Sequence, residues 1–277
     1  MNAPPIHAPG RTARLDLRFR RTAAGRTILG RQFFQYPFHL TRPFHLDRAR
    51  PKLATLFLQS SSGGLYEGDR LQMDVHVAAG AEVHLTTQAS TIVHRGAGAA
   101  QTVSIELERD AFLAWLPDPA ILFAGAGLEQ RTHVRLAEGA NLMICEGLLA
   151  HDPRAHHDGI RHWLNETVIE RPDAEAVVDR QVLDGGNLAE ALGPQAAHHA
   201  LASFFLVGPA FGGDVLERLR AELEGVGLYA GAGPVPGGGL IVRVLAESGA
   251  ALARASDTVF RIGFEAATGV PPEPRGK

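Results

Sequence analysis

At 277 residues, with 45% hydrophobic and 21% charged residues and a net charge of −3, the chain has room for one large domain or two small ones and an ordinary globular core. That charge gives no basic surface of the kind that binds nucleic acid, no stretch approaches the roughly 20 apolar residues that cross a bilayer, and a single cysteine, Cys145, excludes an internal disulfide framework. Aromatics are only 6%, while Gly (31) and Pro (17) are plentiful, which favours many short strands and turns over long helices.

The first residues contain Pro4, Pro5 and Pro9 and show neither apolar periodicity nor the apolar core of a signal peptide. Residues 1–13 are expected to form a flexible tail, and the lone cysteine fits a reducing, cytoplasmic location. Leu15, Leu17 and Phe19 alternate with Asp16, Arg18 and Arg20, a short strand that can pair with Arg26–Gln32 across Ala23-Ala24-Gly25. Phe33–Leu46 holds Phe33, Phe34, Tyr36, Phe38 and Phe44 between Pro37 and Pro43, so it is expected to add core bulk from an irregular or edge strand. Leu53–Leu58 leads into Ser62-Gly63-Gly64 and the acidic turn Glu67-Gly68-Asp69. Two alternating runs follow, Leu71–Val77 and Glu82–Thr87, and in the second Val83, Leu85 and Thr87 oppose His84, Thr86 and Gln88.

A repeat then becomes visible. Val75–Leu85, Ile105–Trp115 and Val134–Ile144 each read as strand, tight turn, strand, with Gly80, Asp110 and Gly139 at the turns, 30 and 29 residues apart. No helical pattern lies between the strands, as parallel βαβ units require. The period predicts a mainly β protein, a β-helix-like stack of short strands over residues 14–186. His151–His162 is a polar, histidine-rich loop, and Trp163–Glu170 and Ala176–Leu183 read as further strands. From 187 to 270 the pattern predicts a smaller α+β part packed on the stack. Asp214 caps a helix with Leu216, Leu219 and Leu223 on one face, Gly231–Gly239 is a loop, Leu240–Leu245 a strand, and Ala250–Phe264 a helix with Leu252, Ala255, Val259 and Ile262 on one stripe. Residues 271–277 form a second tail.

Gly63–Asp69 is no phosphate loop, because it lacks the lysine and the following helix that such a loop needs. Asp69 lies beside Arg70, where a structural ion pair is the plain reading and a functional carboxylate the sharper one. Thr86, Thr87 and Gln88 are weak oxygen ligands and can equally satisfy a bend in the stack. Among the thirteen histidines, His156 and His157, with Asp158, form the densest cluster and are candidate metal ligands, although short histidine tracts often bind metal adventitiously. Cys145 follows Met143 and Ile144 in a strand and reads as a buried, inert thiol. No Gly-x-Ser-x-Gly, His-Glu-x-x-His or paired-cysteine pattern occurs. Glu67, Asp69 and Asp118 could converge in a stacked β fold, so a stand-alone β-solenoid enzyme or binder acting on carbohydrate is the alternative.

Two blocks point further. Gly63-Gly64, Gly68-Asp69-Arg70-Leu71, Gly80-Ala81, Thr86-Thr87-Gln88-Ala89-Ser90-Thr91 and Arg95 make the first. Trp115-Leu116-Pro117-Asp118-Pro119, Ile121-Leu122-Phe123 and Gly125-Ala126 make the second. In order and spacing they resemble the UreD (UreH) family of urease accessory proteins, at varying strength from about Arg14 to about Val259. The segment Asp152–Gly159 departs from the family's Gly-Arg-Glu and Gly-Glu pattern. The resemblance implies a β-helical body and a non-enzymatic chaperone in nickel insertion into urease. It implies contact with the urease apoprotein and with UreF, which recruits the GTPase UreG. It implies nickel in transit along a path lined by Glu67, Asp69, Thr86, Thr87 and Gln88, with no tightly bound cofactor. Arg95 and a C-terminal segment including Leu216, Leu219 and Val259 become candidate partner contacts, and a homodimer is left open.

Overall fold

The computed structural model describes residues 10–151, 159–172, 174–185, 198–225 and 228–274. Seventeen strands and two helices are defined among them. In chain order the first strands are β1 (Thr12–Arg21), β2 (Thr27–Phe34), β3 (Phe38–Leu40), β4 (Ala54–Ser60), β5 (Arg70–Val77) and β6 (Glu82–Thr87). Then come β7 (Ile92–Val93), β8 (Ala99–Leu107), β9 (Phe112–Leu116), β10 (Ala120–Phe123), β11 (Gly127–Leu136) and β12 (Asn141–His151). The chain ends with β13 (His162–Arg171), β14 (Ala174–Asp184), β15 (Ala200–Val207), α1 (Gly213–Gly225), β16 (Tyr229–Pro234), β17 (Leu240–Ala246) and α2 (Gly249–Thr268). No described helix is long and apolar enough to cross a membrane.

Two sheets face each other. Sheet A has the order β14-β13-β11-β8-β5-β1-β2. Sheet B has the order β16-β17-β15-β12-β9-β6-β4-β3, with β7 and β10 added beside β12. From β4 to β13 the chain passes between the sheets and returns to each one parallel to its previous pass. The three repeats meet in register. Val75 pairs with Ile105 and Ile105 with Val134 in sheet A, while Leu85 pairs with Trp115 and Trp115 with Ile144 in sheet B. The turns stack as the period predicts. The Gly80 amide donates to the Arg109 carbonyl at 3.0 Å and the Asp110 amide to the Glu138 carbonyl at 3.1 Å. All three turn residues have positive φ: 63° at Gly80, 55° at Asp110 and 74° at Gly139.

One apolar core fills the space between the sheets, built from inward residues such as Leu15, Leu17, Met73, Leu85, Trp115, Ile144, Trp163 and Phe205. A second lies on the outer face of sheet B, where Phe112, Met143, Phe204 and Val242 meet α1 and α2. The last helix starts at an N-cap, Ser248, whose side chain accepts from the Ala251 amide, and stops at Gly269 in the left-handed conformation.

Two local expectations are corrected. Of the aromatics in Phe33–Leu46 only Phe38 reaches the core; Phe33 and Phe34 are exposed at the end of β2, the edge strand of sheet A, and Tyr36 and Phe44 are exposed outside the strands. Within the expected loop Gly231–Gly239, Gly231–Pro234 belong to β16, since an edge strand needs hydrogen bonds on one side only and tolerates the proline. Both faces of β6 are covered. Its outer residue His84 stacks on Phe260 of α2, with centroids 4.6 Å apart.

Candidate functional site

The inward faces of the two sheets are not wholly apolar. In sheet A, Gln101 of β8, Gln130 of β11, Asn165 of β13 and Gln181 of β14 lie side by side across four strands. One step along the strands, Thr132, Thr167 and Asp179 do the same. In sheet B the facing row is Glu146 of β12, Ser203 of β15 and Arg243 of β17. Strand alternation explains the placement. Each of these residues shares parity with core neighbours, as Glu146 does with Ile144 and Leu148, and Thr132 with Leu128 and Val134. The result is a polar seam inside an apolar sandwich.

At one end the seam widens into a cavity of about 310 Å³, whose wall includes Ser62, Gly63, Thr87, Gln88, Gln101, Asp118, Gln130, Thr132, Cys145 and Glu146. The Thr132 hydroxyl donates to Glu146 Oε1 at 2.7 Å. Burial pushes the Glu146 carboxyl up to about 7, and the Thr132 hydrogen bond only partly opposes it. Burial, then the nearby carboxylates of Glu146 and Asp118, push the Cys145 thiol well up, which keeps it protonated and unreactive. Trp163 Nε1 donates to Gln130 Oε1 at 2.9 Å. Deeper in, the Asn165 amide and the Thr167 hydroxyl are fully buried and find no hydrogen-bond partner among the described residues. Buried groups of this kind ordinarily take water.

The structure brings together some of the residues expected to line an ion path and separates others. Thr87 and Gln88 line the cavity. Thr86 lies on the other face of its strand, and its hydroxyl donates to the Leu116 carbonyl at 2.7 Å. Glu67 is exposed on the turn. Asp69 is buried outside the cavity wall, and its partner is Arg11, not the neighbouring Arg70. The Arg11 amide donates to Asp69 Oδ1 at 2.8 Å, its guanidinium pairs with both oxygens, and the Tyr66 amide donates to Oδ2 at 2.8 Å. Burial pushes the Asp69 carboxyl up, but these bonds outweigh it and hold it below its ordinary value. Arg95 is exposed and forms a backbone bridge with Ala126. Leu219 and Val259 are fully buried against sheet B and Leu216 packs beside them, so these side chains hold the helices in place. His156 and His157 lie outside the described residues. Among the described residues, no group of three or more His, Cys, Asp or Glu side chains converges as a metal site. Nor do the carboxylates proposed for a carbohydrate-acting enzyme meet: Glu67 is on the surface, Asp69 is held by Arg11, and Asp118 is at the cavity wall.

Sequence reasoning missed Glu146, Gln101, Gln130, Thr132, Asn165 and Thr167. The signal was present as a single carboxylate, Glu146, within the apolar run Leu142–Leu149.

Comparison with known proteins places this arrangement. The family model described as UreD urease accessory protein matches residues 11–276. Urease accessory protein UreD 3 of Bradyrhizobium sp. (strain ORS 278) is 43% identical over 90% of this chain and 89% of its own length. Urease accessory protein UreD 1 of Methylorubrum populi is 38% identical over 99% of this chain and 95% of its own. Urease accessory protein UreD 1 of Pseudomonas syringae pv. syringae is 32% identical over the whole of both chains, 100% of each. With a family match across nearly its whole length and relatives that align end to end, the chain belongs to the UreD family of urease accessory proteins.

Proposed function

We propose that this chain is a cytoplasmic chaperone of urease maturation that bridges apo-urease to a UreF–UreG assembly and passes nickel through its interior. In this reading residues 14–186 form a β-helical body, the part from 187 to 270 supports contact with UreF, and no metal is retained. The observation that carries the proposal is the buried Glu146–Thr132 pair at the wall of the 310 Å³ cavity. A carboxyl, hydroxyls and amides spread along a seam offer a divalent cation a succession of weak oxygen donors. Weak donors suit transit, whereas a compact set of imidazoles or thiolates would trap the ion. A carboxyl that ionises near neutrality supplies charge when a cation arrives and carries little when none is there.

The test uses a urease-positive host. Deleting this chain should leave urease assembled but with little nickel and little activity. Restoring it as Thr132→Val/Glu146→Gln should recover the complex with the partner proteins in pull-downs but not nickel loading. Full urease activity without this chain would reject the maturation role. Full activity with the double variant would reject the conduit and leave a scaffold.

A further inference from the structure

The polar seam does not end at the cavity. Past Glu146 it continues through Ser203, with Asn165 and Thr167 opposite, to β14, the last strand of sheet A, and β17, the last but one of sheet B. There β14 of sheet A faces β17 of sheet B, and a side chain from each closes the gap. The Arg243 guanidinium pairs with Asp179 Oδ1. On its inner side the Asp179 carboxylate accepts from Gln181 Nε2 at 2.7 Å, and the same Gln181 nitrogen donates to Ser203 Oγ at 3.0 Å. Ser203 is the register neighbour of Glu146. The line Arg243–Asp179–Gln181–Ser203–Glu146 therefore runs from the surface to the cavity wall. Its outermost member is 51% exposed while Asp179 is only 10% exposed.

We propose that this edge is a second mouth of the seam and that Arg243 is its gate, holding the Asp179 carboxylate until the guanidinium is drawn away. This rests on the conduit reading above. A guanidinium and a divalent cation compete for the same carboxylate, so the mouth cannot serve a cation while Arg243 sits on Asp179. The guanidinium is half-exposed, so water or an anionic partner can solvate it as it swings away from the buried carboxylate. A tie between sheets, made for stability alone, would need no polar row behind it. Yet behind this one lie two fully buried polar side chains, Asn165 and Thr167, with no partner among the described residues. A separate clasp already joins the sheets at this edge: Arg171 donates to the carbonyls of Pro236, Gly237 and Gly238 at 2.7–2.8 Å. Release of Arg243 therefore opens the seam without parting the sheets.

Thiol labelling of the full chain tests the gate. In a Cys145→Ser background, Asn165→Cys puts the thiol midway along the seam, and 2-aminoethyl methanethiosulfonate supplies a small cationic probe. Adding Arg243→Gln should speed labelling about ten-fold or more by converting a rare local opening into a standing one. In the chain with its native cysteine, Arg243→Gln should leave the buried Cys145 as slow as before: although Cys145 borders the cavity, it alternates with the inward Ile144 and Glu146 and turns its thiol into the outer core. Unchanged labelling at position 165 overturns the gate. An equal rise at Cys145 also overturns it, by showing general loosening. Urease activation by Thr132→Val/Glu146→Gln reads the conduit separately. Lost activation with unchanged labelling sinks the gate alone, and full activation sinks the conduit and the gate with it.

Discussion

At the scale of single residues, two buried carboxyls behave in opposite ways because their neighbours differ. Among the described residues Glu146 has one hydroxyl donor and no cation beside it, so burial prevails and the group ionises only near 7. Between an ordinary glutamate value and that point the folded state binds more protons than the unfolded chain. Stability therefore falls as pH rises through this window and levels off above it. Glu146→Gln removes the dependence. Its stability relative to the parent should improve from about pH 5 to about pH 8 by on the order of 2–3 kcal/mol, read from urea denaturation at each pH. Parallel curves would mean that the carboxyl is paired and charged throughout. Asp69 is the reverse case, held low by Arg11 and by backbone amides. Its contribution is present above the ordinary carboxylate value and fades as pH falls. Asp69→Asn should cost about 2–4 kcal/mol at neutral pH, and urease activation should drop only as far as folded protein does. Lost activation at parental stability would return Asp69 to the ion path. Thr87 and Gln88 were legible as path-lining residues only through the family resemblance, since strict alternation sets Gln88 with Thr86 on the face away from Thr87. Gln101, Gln130 and Asn165 were not. A polar residue at an inward position looks, in sequence, like one at an outward position, until the register of neighbouring strands fixes which face is enclosed.

At the scale of elements, the repeat was legible because it is written twice, in apolar alternation and in turn chemistry. Val75, Ile105 and Val134 align in sequence and pair in register, and so do the turns at Gly80, Asp110 and Gly139. The β16 strand was hidden because its glycines and proline are turn formers that an edge position tolerates. The segment Phe33–Leu46 was legible as edge or irregular, but the burial of its aromatics was misread, because greasy residues suggest core whichever face of an edge strand they lie on. The stacked turns make a prediction whose sign depends on position. Gly139 has φ 74°, and a Cβ there would lie 2.0 Å from Asp110 Oδ1. Gly139→Ala should therefore destabilise by about 1–3 kcal/mol. Asp110 already bears a side chain at φ 55°. Asp110→Gly relieves that strain and should be neutral or stabilising by up to about 1 kcal/mol, because the gain is offset by added freedom in the unfolded chain. Thermal melts of the two variants should move in different directions. A shared downward shift would mean that the Asp110 side chain makes contacts the turn needs.

At the scale of the whole molecule, the decisive feature is that sheet B serves two cores at once. Its inward residues face sheet A, and its outward residues Phe112, Met143, Phe204 and Val242 face the helices. The strands β15, β17 and β16 extend that same sheet from β12 onward, so the C-terminal residues supply structure to the rungs as well as surface to the molecule. The fit of α2 is close. A Cβ on Gly263 would lie 2.4 Å from Met143 Cε, and Phe264 is fully buried. Removing residues from 249 onward would bare a continuous apolar face on sheet B, of the sort that drives aggregation. It would also remove the burial of Leu252, Val259, Ile262 and Phe264, each worth about 1.5–3 kcal/mol on transfer from water, against a total stability of about 5–15 kcal/mol. The truncated chain should therefore show no cooperative melt and should collect in the insoluble fraction. A smaller change, Phe264→Ala, should keep the fold but lower the single melting transition by an amount matching about 3–5 kcal/mol. If the truncated chain instead melts sharply and stays soluble, the helices are an appended module and the two cores are energetically separate. If Phe264→Ala splits the melt into two steps, the same conclusion follows from within the intact chain.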